Sequence, residues 1–140
     1  MPDEAVDPQF QIGDQGAFVD RIGMVLEEWT KERVVGTLPV EGNTQPYGFL
    51  HGGATCSLIE SLASLGAAGV AGFSKIVMGQ QQSTHFLGTS TSGRVRGVAT
   101  PVHIGKTTHV WNVDVTHVET GKPIATGRVT MAVREPRPNA

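Results

Sequence analysis

The sequence predicts an α+β fold in which a curved antiparallel sheet wraps around one long central helix. The chain has 140 residues, and one long segment near its middle, 52–72, has the composition of a helix. Segments rich in Val, Ile and Thr, separated by Gly and Pro, stand before and after it and are typical of strands. Because a lone helix must bury its apolar side against the only other layer available, the sheet is expected to curl around it.

Composition and charge exclude several classes of protein. Apolar residues make up 39% of the chain and charged residues 17%, which is a globular mixture. The net charge is -2 and no cluster of Lys and Arg exceeds two residues, so we expect no nucleic-acid partner. Cys56 is the only cysteine, which excludes an internal disulfide and favours a reducing, cytoplasmic location. The first residues lack the pattern of a signal peptide and Glu60 interrupts the most apolar segment, so we expect no membrane span.

The part of the chain before the central helix is predicted to hold a flexible arm, a short helix and two strands. Residues 1–12 carry two prolines and three acids, which is typical of a loose arm. Residues 14–22 have the apolar spacing of a short helix whose inward side chains are Phe18, Val19 and Ile22. Residues 24–40 are predicted to form two strands with a turn near Lys31, and 41–48 a loop.

Four further strands are predicted after the helix, at 75–86, 93–103, 106–117 and 123–134. The stretches TSTSG, 89–93, and ETGKP, 119–123, have the residues of hairpin turns. The tail, 135–140, is expected to be disordered. We therefore predict a single domain over residues 13–134.

Glu60 is unusual because it is a lone carboxylate midway along an otherwise apolar helix. At about 100° per residue, its face carries small side chains, namely Gly53, Cys56, Ser57, Ala63, Ser64, Ala67 and Ala71. The opposite side carries Leu58, Leu62 and Leu65, with Ile59 on the flank. Two interpretations are open: a tight packing contact with Glu60 near solvent, or the floor of a cleft with a catalytic carboxylate.

The start of the helix favours the cleft. The first amides of a helix are unpaired and carry the positive end of its dipole, and Gly52 and Gly53 would let a substrate oxygen approach them, as in an oxyanion hole. Glu60 lies eight residues beyond Gly52, or about 12 Å along the axis, whereas reacting atoms must approach within about 3.5 Å. One helix cannot easily supply both groups, but two antiparallel helices of a symmetric dimer can.

The stretch QPYGFLHGGATCSLIESLAS, residues 45–64, closely resembles the acyl-CoA thioesterases of the hotdog fold. The pattern Q-P-[FY]-G-x-L-H-G-G followed by L-x-E carries the resemblance. The nearest group holds the Arthrobacter-type 4-hydroxybenzoyl-CoA thioesterase, the 1,4-dihydroxy-2-naphthoyl-CoA thioesterase of menaquinone synthesis and the enterobactin-pathway proofreading thioesterase. Residues 93–111 and the last strand are similar to the same group, so that the resemblance spans roughly 14–134.

The resemblance implies a role for each matching residue. Glu60 would be the catalytic nucleophile, or the base that activates water, and the Gly52 amide would polarise the thioester carbonyl. Gln45 and His51 would hold that carbonyl and shape the loop, while Ser64 would position water. The implied substrate contacts are a ring contact at His85, nucleotide contacts at Thr107 and Thr108, a phosphate partner at Lys106, and close approach at Gly53.

The resemblance also implies an acyl-CoA substrate with an aromatic or medium-chain acyl group, a homodimer that pairs further into a tetramer, and no cofactor apart from the CoA of the substrate. The chain departs from the group at Leu87 and Gly88, where a basic residue and proline usually stand, so the phosphate contact is lost or moved. The glutamines at 80–82 replace a more apolar start of that strand.

Other functions are less favoured by the residues. The spacing of His51, His85 and Glu60 matches no zinc motif, and no Gly-x-Ser-x-Gly elbow is present. We expect no catalytic role for Cys56, His103, His109 and His117. The alternatives that stay open are a non-catalytic module that binds acyl-CoA and a proofreading thioesterase that acts on an acyl carrier protein. A dehydratase of the same fold is disfavoured because it would use a His/Asp pair in a different motif.

Overall fold

The computed structural model describes residues 15–138, which form a six-stranded antiparallel sheet wrapped around one long helix. The elements in chain order are α1 Ala17–Ile22, β1 Val25–Trp29, β2 Val34–Pro39, α2 Gly52–Ala71, β3 Ile76–Phe86, β4 Arg94–Ile104, β5 Thr108–His117 and β6 Pro123–Arg134. The strands lie in the order β1-β2-β4-β5-β6-β3. The predicted fold class and the order of elements are confirmed, with boundaries within a few residues of the prediction.

One predicted hairpin is wrong. The turn at 119–123 joins the neighbours β5 and β6 as expected, but the bend at 89–93 does not join neighbouring strands. Instead β3 pairs with β6, and β4 pairs with β2 and β5. Turn residues report that the chain changes direction, not which strand it meets next. The crossover after β3 therefore leaves that strand at one edge of the sheet.

The sheet covers more of α2 than the sequence predicts. Three aliphatic side chains are fully buried as expected, namely Leu58, Ile59 and Leu62. Ala63 and Ala67, predicted beside Glu60 on the open side, are also fully buried, whereas Leu65 is only partly buried. The reason is the edge strand β3, which packs along this flank of the helix and turns the open arc toward Ser61 and Ser64.

The helix α1 buries less than predicted. Val19 is buried, but Phe18 is 58% exposed. Phe18 and Ile22 lie one turn apart and line a shallow cavity of about 410 Å³ beside His51 and Gly53 at the start of α2. Phe18 therefore faces the beginning of the long helix, whereas Ile22, as predicted, also packs against the core.

Glycines set the distance between helix and sheet. A Cβ at Gly36 on β2 would stand 2.9 Å from a methyl of Leu62, and one at Gly97 on β4 would stand 2.6 Å from another. A Cβ at Gly127 on β6 would stand 3.0 Å from Ile59. We call Gly36, Gly97 and Gly127 the glycine stripe. Contacts under 3.0 Å are essentially never seen for real Cβ atoms, so a side chain at Gly36 or Gly97 would force Leu62 to shift, and one at Gly127 would crowd Ile59.

By length and composition alone, α2 is apolar enough to cross a membrane. The core helix of a folded domain passes the same test, and α2 is packed against the strands of the sheet. The predicted arm, 1–12, lies outside the described residues. Of the predicted tail, residues 135–138 are described and belong to no helix or strand.

Candidate active site

Glu60 lies on the open side of α2, in the wall of a cavity of about 330 Å³. Ser61 and Ser64, on the following turn of the helix, line the same cavity. The remaining lining residues are Gln15 and five apolar residues, Val19, Met24, Leu65, Ala68 and Val77. A carboxylate and two Ser side chains thus line a mostly apolar space, which is typical of a small-molecule site.

The carboxylate of Glu60 rests against the backbone of β3 at Gly79. A Cβ at position 79 would overlap the Oε1 atom of Glu60, so a side chain there would make the carboxylate shift. Within residues 15–138, no side chain forms an ion pair with Glu60 and no group donates a hydrogen bond to its carboxylate. Its oxygens are therefore available to a substrate or a water molecule.

His51 caps the beginning of α2. Its backbone is extended, with φ −67° and ψ 131°, and its Nδ1 accepts a hydrogen bond of 2.8 Å from the Gly53 N–H. Because Nδ1 is the acceptor, the proton of the neutral ring stands on Nε2, which can donate to a ligand. The Gly52 N–H has no acceptor among the described residues. The helix start therefore offers one free amide and one ring N–H side by side.

The loop before α2 is shaped by Gln45. Its side-chain oxygen accepts hydrogen bonds from the backbone N–H groups of Tyr47, at 2.6 Å, and Phe49, at 3.3 Å. These bonds fix the orientation of the amide, so its NH₂ group is left to donate. Asn43 holds the loop to the sheet by donating to the carbonyls of Ile22 and Pro39, both at 2.8 Å. Two hydrogen bonds from the loop to the side chain of Gln45 thus hold the loop in its conformation. Asn43 anchors the same loop, and the sequence did not single it out.

The strand β3 runs along α2 and contacts it at three places. Gly79 lies beside Glu60, and Gln82 donates a hydrogen bond of 3.1 Å to the carbonyl of Cys56. At the other end, the ring of Phe86 stands 3.2 Å from the place where a Cβ at Gly52 would lie. Phe86 is 56% exposed and therefore forms an aromatic wall next to the free amide of Gly52.

His85 points the other way. The pairing of β3 with β6 shifts between Gly79 and Gln81, which marks a β-bulge. A bulge shifts by one residue the alternation of side chains between the two faces of a strand. After the bulge, the even-numbered residues of β3 are therefore the ones that lie on the same face as Gly79, toward the helix. His85 lies on the outer face of the sheet instead, in a depression lined by Ser83 and Arg128. The structure does not bring His85 to Glu60 within one chain, and Phe86 is the residue beside the helix start.

The predicted nucleotide contacts lie at one end of the sheet. Lys106 and Thr107 are exposed in the tight turn between β4 and β5, which the Gly105 N–H closes by donating to the Thr108 carbonyl. The carbonyl of Thr107 accepts from the backbone and side chain of the β6 end, including Arg134 Nη1 at 2.7 Å. Thr108 shares a row of the sheet with the strand position next to Gly79. These residues are therefore at the Glu60 end of β3 and not at the Gly52 end.

The remaining histidines are placed in the sheet. His117 donates from Nε2 to the Ser92 carbonyl at 2.9 Å and so joins two loops. His109 is 2% exposed, and no described residue accepts from or donates to its Nδ1. Burial lowers the pKa of His109 below its ordinary value of 6.5, and the neighbouring His103 lowers it further. Over residues 15–138 there is no cluster of three His, Cys, Asp or Glu side chains that could hold a metal.

The carboxylate and the free amide belong to one straight helix, eight residues apart. At 1.5 Å per residue this separates their backbones by about 12 Å. Ser64, in contrast, is one turn beyond Glu60, and its hydroxyl makes only a long contact of 3.9 Å, donating toward the sulfur of Met131. Within one chain the predicted site residues therefore form two separate groups, which we call the half-sites: His51, Gly52 and Gln45 at the helix start, and Glu60 with Ser64 at its middle.

Comparison with known proteins identifies the family. The model of the thioesterase superfamily matches residues 47–124. A 1,4-dihydroxy-2-naphthoyl-CoA hydrolase of Listeria monocytogenes is 37% identical, with 84% of this chain and 96% of the relative covered. The proofreading thioesterase EntH of Cronobacter sakazakii is 32% identical, covering 84% and 86%. A mutant thioesterase from Pseudomonas aeruginosa superposes with a TM-score of 0.81 at 34% identity, covering 86% and 87%. The chain therefore belongs to the thioesterase superfamily and is a thioester hydrolase with the hotdog fold.

Proposed function

We propose that the protein hydrolyses an aromatic or medium-chain acyl-CoA thioester, with Glu60 as nucleophile or general base. The observation that carries this proposal is the unpaired Glu60 carboxylate in the wall of a largely apolar cavity. Glu60 is exposed on the cavity side and no described residue pairs with it, so its carboxylate is free to act on a bound substrate. The name of the Listeria relative, which acts on an aromatic CoA thioester, supports the same substrate class.

The catalytic site is proposed to be shared between two copies of the chain. Two half-sites on one helix need a second, antiparallel helix to meet. The strand β3 offers the surface for it, because it is an edge strand of eleven residues without a single Asp, Glu, Lys or Arg. Long uncharged edges invite pairing with another strand. The opposite edge, β1, has only five residues, two of them Glu, and is thereby protected.

Among the antiparallel registers of such a pair, we propose the one that joins the two half-sites, because the contacts of β3 with α2 show where each half-site lies along the strand. In an antiparallel pair centred on Ser83, Phe86 of one protomer lies opposite the partner's Gln80, next to the partner's Gly79. Phe86 lies beside Gly52, and Gly79 lies beside the Glu60 carboxylate. This pairing therefore brings the helix start of one protomer to the carboxylate of the other, twice per dimer.

The proposed reaction uses each group once. The Gly52 amide and the helix dipole stabilise the negative charge that develops on the thioester oxygen. The His51 Nε2–H and the Gln45 amide are placed to add hydrogen bonds there. Glu60 of the partner subunit either attacks the carbonyl carbon or takes a proton from a water that Ser64 orients. The C–S bond breaks, CoA leaves as the thiol, and water supplies the second oxygen of the carboxylic acid.

Phe86 is proposed to contact the acyl group, in place of His85. Its exposed ring is the nearest side chain to the Gly52 amide on the β3 side, whereas His85 faces away. An apolar ring favours aromatic or aliphatic acyl groups through burial and stacking. A histidine at this place would have favoured a ring hydroxyl. An acyl carrier protein in place of CoA is the second candidate, which the EntH relative suggests.

A thiol-release assay over a panel of CoA thioesters tests the activity and its substrate. The panel contains benzoyl-, phenylacetyl-, 1,4-dihydroxy-2-naphthoyl- and hexanoyl-CoA, and an acyl carrier thioester of the preferred acyl group. We expect turnover of the wild type and a loss in kcat of about 10²–10⁴ in E60Q, with an unchanged circular dichroism spectrum. Binding of CoA thioesters without hydrolysis above background would identify a non-catalytic module instead. Wild-type turnover in E60Q would disprove the role of Glu60.

Mixed dimers test the shared site. E60Q keeps an intact helix start, and H51A keeps an intact carboxylate. If each site combines the two protomers, co-refolding these inactive variants gives a mixed dimer with one complete site, and activity returns. If both groups of one chain serve the same site, the mixture stays as inactive as its components. Each variant refolded alone is the control.

A further inference from the structure

The side chain of Lys122 lies beside Gly88, where the carbonyl oxygen of Pro123 approaches most closely, at 2.5 Å from a Cβ placed on Gly88. A Cβ at Gly88 would stand 3.2 Å from Cε of Lys122 and 3.7 Å from its Nζ. The segment is held in place because the N–H groups of Leu87 and Gly88 both donate to the Ile124 carbonyl, at 2.8 and 3.1 Å. The ammonium group of the β5–β6 turn therefore stands over the backbone just beyond the end of β3.

This ammonium group has no ionic partner. Of the residues from 15 to 138, none places a carboxylate within 4.0 Å of Lys122 Nζ. Lys122 lines a cavity of about 350 Å³. Five residues that carry hydroxyl groups also line it, namely Thr89, Ser90, Thr91, Ser92 and Thr120. The one carboxylate in this cavity, Glu119, lies at its other side, near Gly93 and His117.

The cavity is close to the helix-start half-site. Phe86, whose ring lies against Gly52, is two residues before Gly88, and two residues span at most about 7 Å. Phe49, from the loop that Gln45 shapes, lines the cavity directly. In a CoA thioester, the pantetheine arm separates the phosphates from the reacting carbon. If the thioester carbonyl lies at Gly52, the phosphates therefore lie some distance away from that amide. A cation beyond Phe86 is placed for such an outlying anionic group.

We propose that Lys122, with the hydroxyl groups of Thr89 and Thr91, binds a phosphate of the nucleotide end of the CoA substrate. This inference rests on the proposed function and adds a subsite to it. The ammonium acts as a point charge toward the phosphate, and the hydroxyls donate to its oxygens.

Kinetics with two thioesters of the same acyl group test the subsite. Benzoyl-CoA carries the phosphates, and S-benzoyl-N-acetylcysteamine does not. We expect K122A to raise KM for benzoyl-CoA about three- to tenfold, with kcat within about twofold, and to leave the N-acetylcysteamine thioester unaffected. K122R should keep the wild-type KM. The exposed Lys31, in the distant turn between β1 and β2, provides the control variant K31A, which should change neither substrate.

Three outcomes would overturn the proposal. An unchanged KM for benzoyl-CoA in K122A removes Lys122 from the site, and an equal effect on both thioesters makes it a structural residue. A rise in KM in K106A alone assigns the phosphate to the other lysine. Calorimetric titration of free CoA into wild type and K122A gives a readout that needs no hydrolysis. If no thioester is cleaved but K122A weakens CoA binding, the proposed function fails and the phosphate subsite stands.

Discussion

His51 uses the two sides of its ring differently. Its Nδ1 is engaged with the Gly53 amide, which leaves its Nε2–H and the Gly52 amide for a substrate. The sequence pattern placed His51 and Gly52 at a helix start and so predicted both residues as members of one site. It could not show the cap, because Ser, Thr, Asp and Asn are the usual residues at that position.

The cap makes stability and activity separable at this residue. H51A removes the acceptor for the Gly53 N–H and is expected to lower the free energy of unfolding by about 1 kcal/mol. H51N restores a capping oxygen but no ring N–H, so it should recover most of that stability and little of the activity. Urea unfolding and benzoyl-CoA turnover of the two variants measure the two effects. Full activity in H51N would show that the ring N–H does nothing in catalysis.

The resemblance implied a contact of His85 with the acyl group, but a single backbone irregularity puts Phe86 on the helix side of β3 instead. Counting alternate residues from Gly79 without the bulge puts His85 on the helix side of β3, and the bulge exchanges it with Phe86. A bulge has no reliable sequence signal in a stretch of Gln, Ser and Thr. The signal that could have found Phe86 is its position as the last residue of the predicted strand 75–86.

At the scale of elements, the sequence predicted the helix and all six strands because their periodicity and turn residues are strong. The sequence-based predictions were wrong where they depended on which element packs against which. The hairpin at 89–93 was wrong because β3 crosses to the far edge of the sheet. The burial of Ala63 and Ala67 was missed because β3 covers the flank of α2 that a single-helix view leaves open.

The contact between α2 and β5 gives a sharp test of the packing. A Cβ at Gly66 would stand 2.6 Å from the ring of Trp111, which is completely buried. Alanine gains about 1 kcal/mol over glycine within a helix, but here the ring cannot yield, so G66A should be destabilising by about 1–3 kcal/mol. In a double-mutant cycle with W111F, the cost should fall because the smaller ring makes room. A stabilised G66A in thermal unfolding would contradict the close packing.

At the scale of the whole molecule, the proposed dimer can be tested through charge at Ser83. In the register derived above, this residue lies opposite its own copy, and like charges directly opposite in a sheet are destabilising. Each of the variants S83E and S83K, taken alone, should therefore shift the protein toward monomer and lower its activity in parallel. A mixture of the two variants should regain both, because opposite charges then face one another. Sedimentation velocity and turnover measure the outcome, and T100E on the central strand β4 is the matched control.

The same experiment has a clear adverse result. If S83E stays dimeric and active, the two protomers do not meet at the centre of β3, and the half-sites must join by another route. The sequence had predicted a dimer from the 12 Å between Gly52 and Glu60 alone. It could not predict the register, because that depends on which residues of β3 lie beside the helix, and only the folded chain shows this.

The glycine stripe has a consequence for how such a protein can change over generations. Because the glycines of β2, β4 and β6 carry no side chains, Leu62 and Ile59 of α2 pack directly against the backbone of these strands. Residues at the edge of the site, such as Phe86 or Leu65, lie outside the glycine stripe. We therefore expect that exchanging them changes which acyl groups bind without moving the Glu60 carboxylate. Diversification of substrate preference is thereby uncoupled from the alignment of the reactive groups.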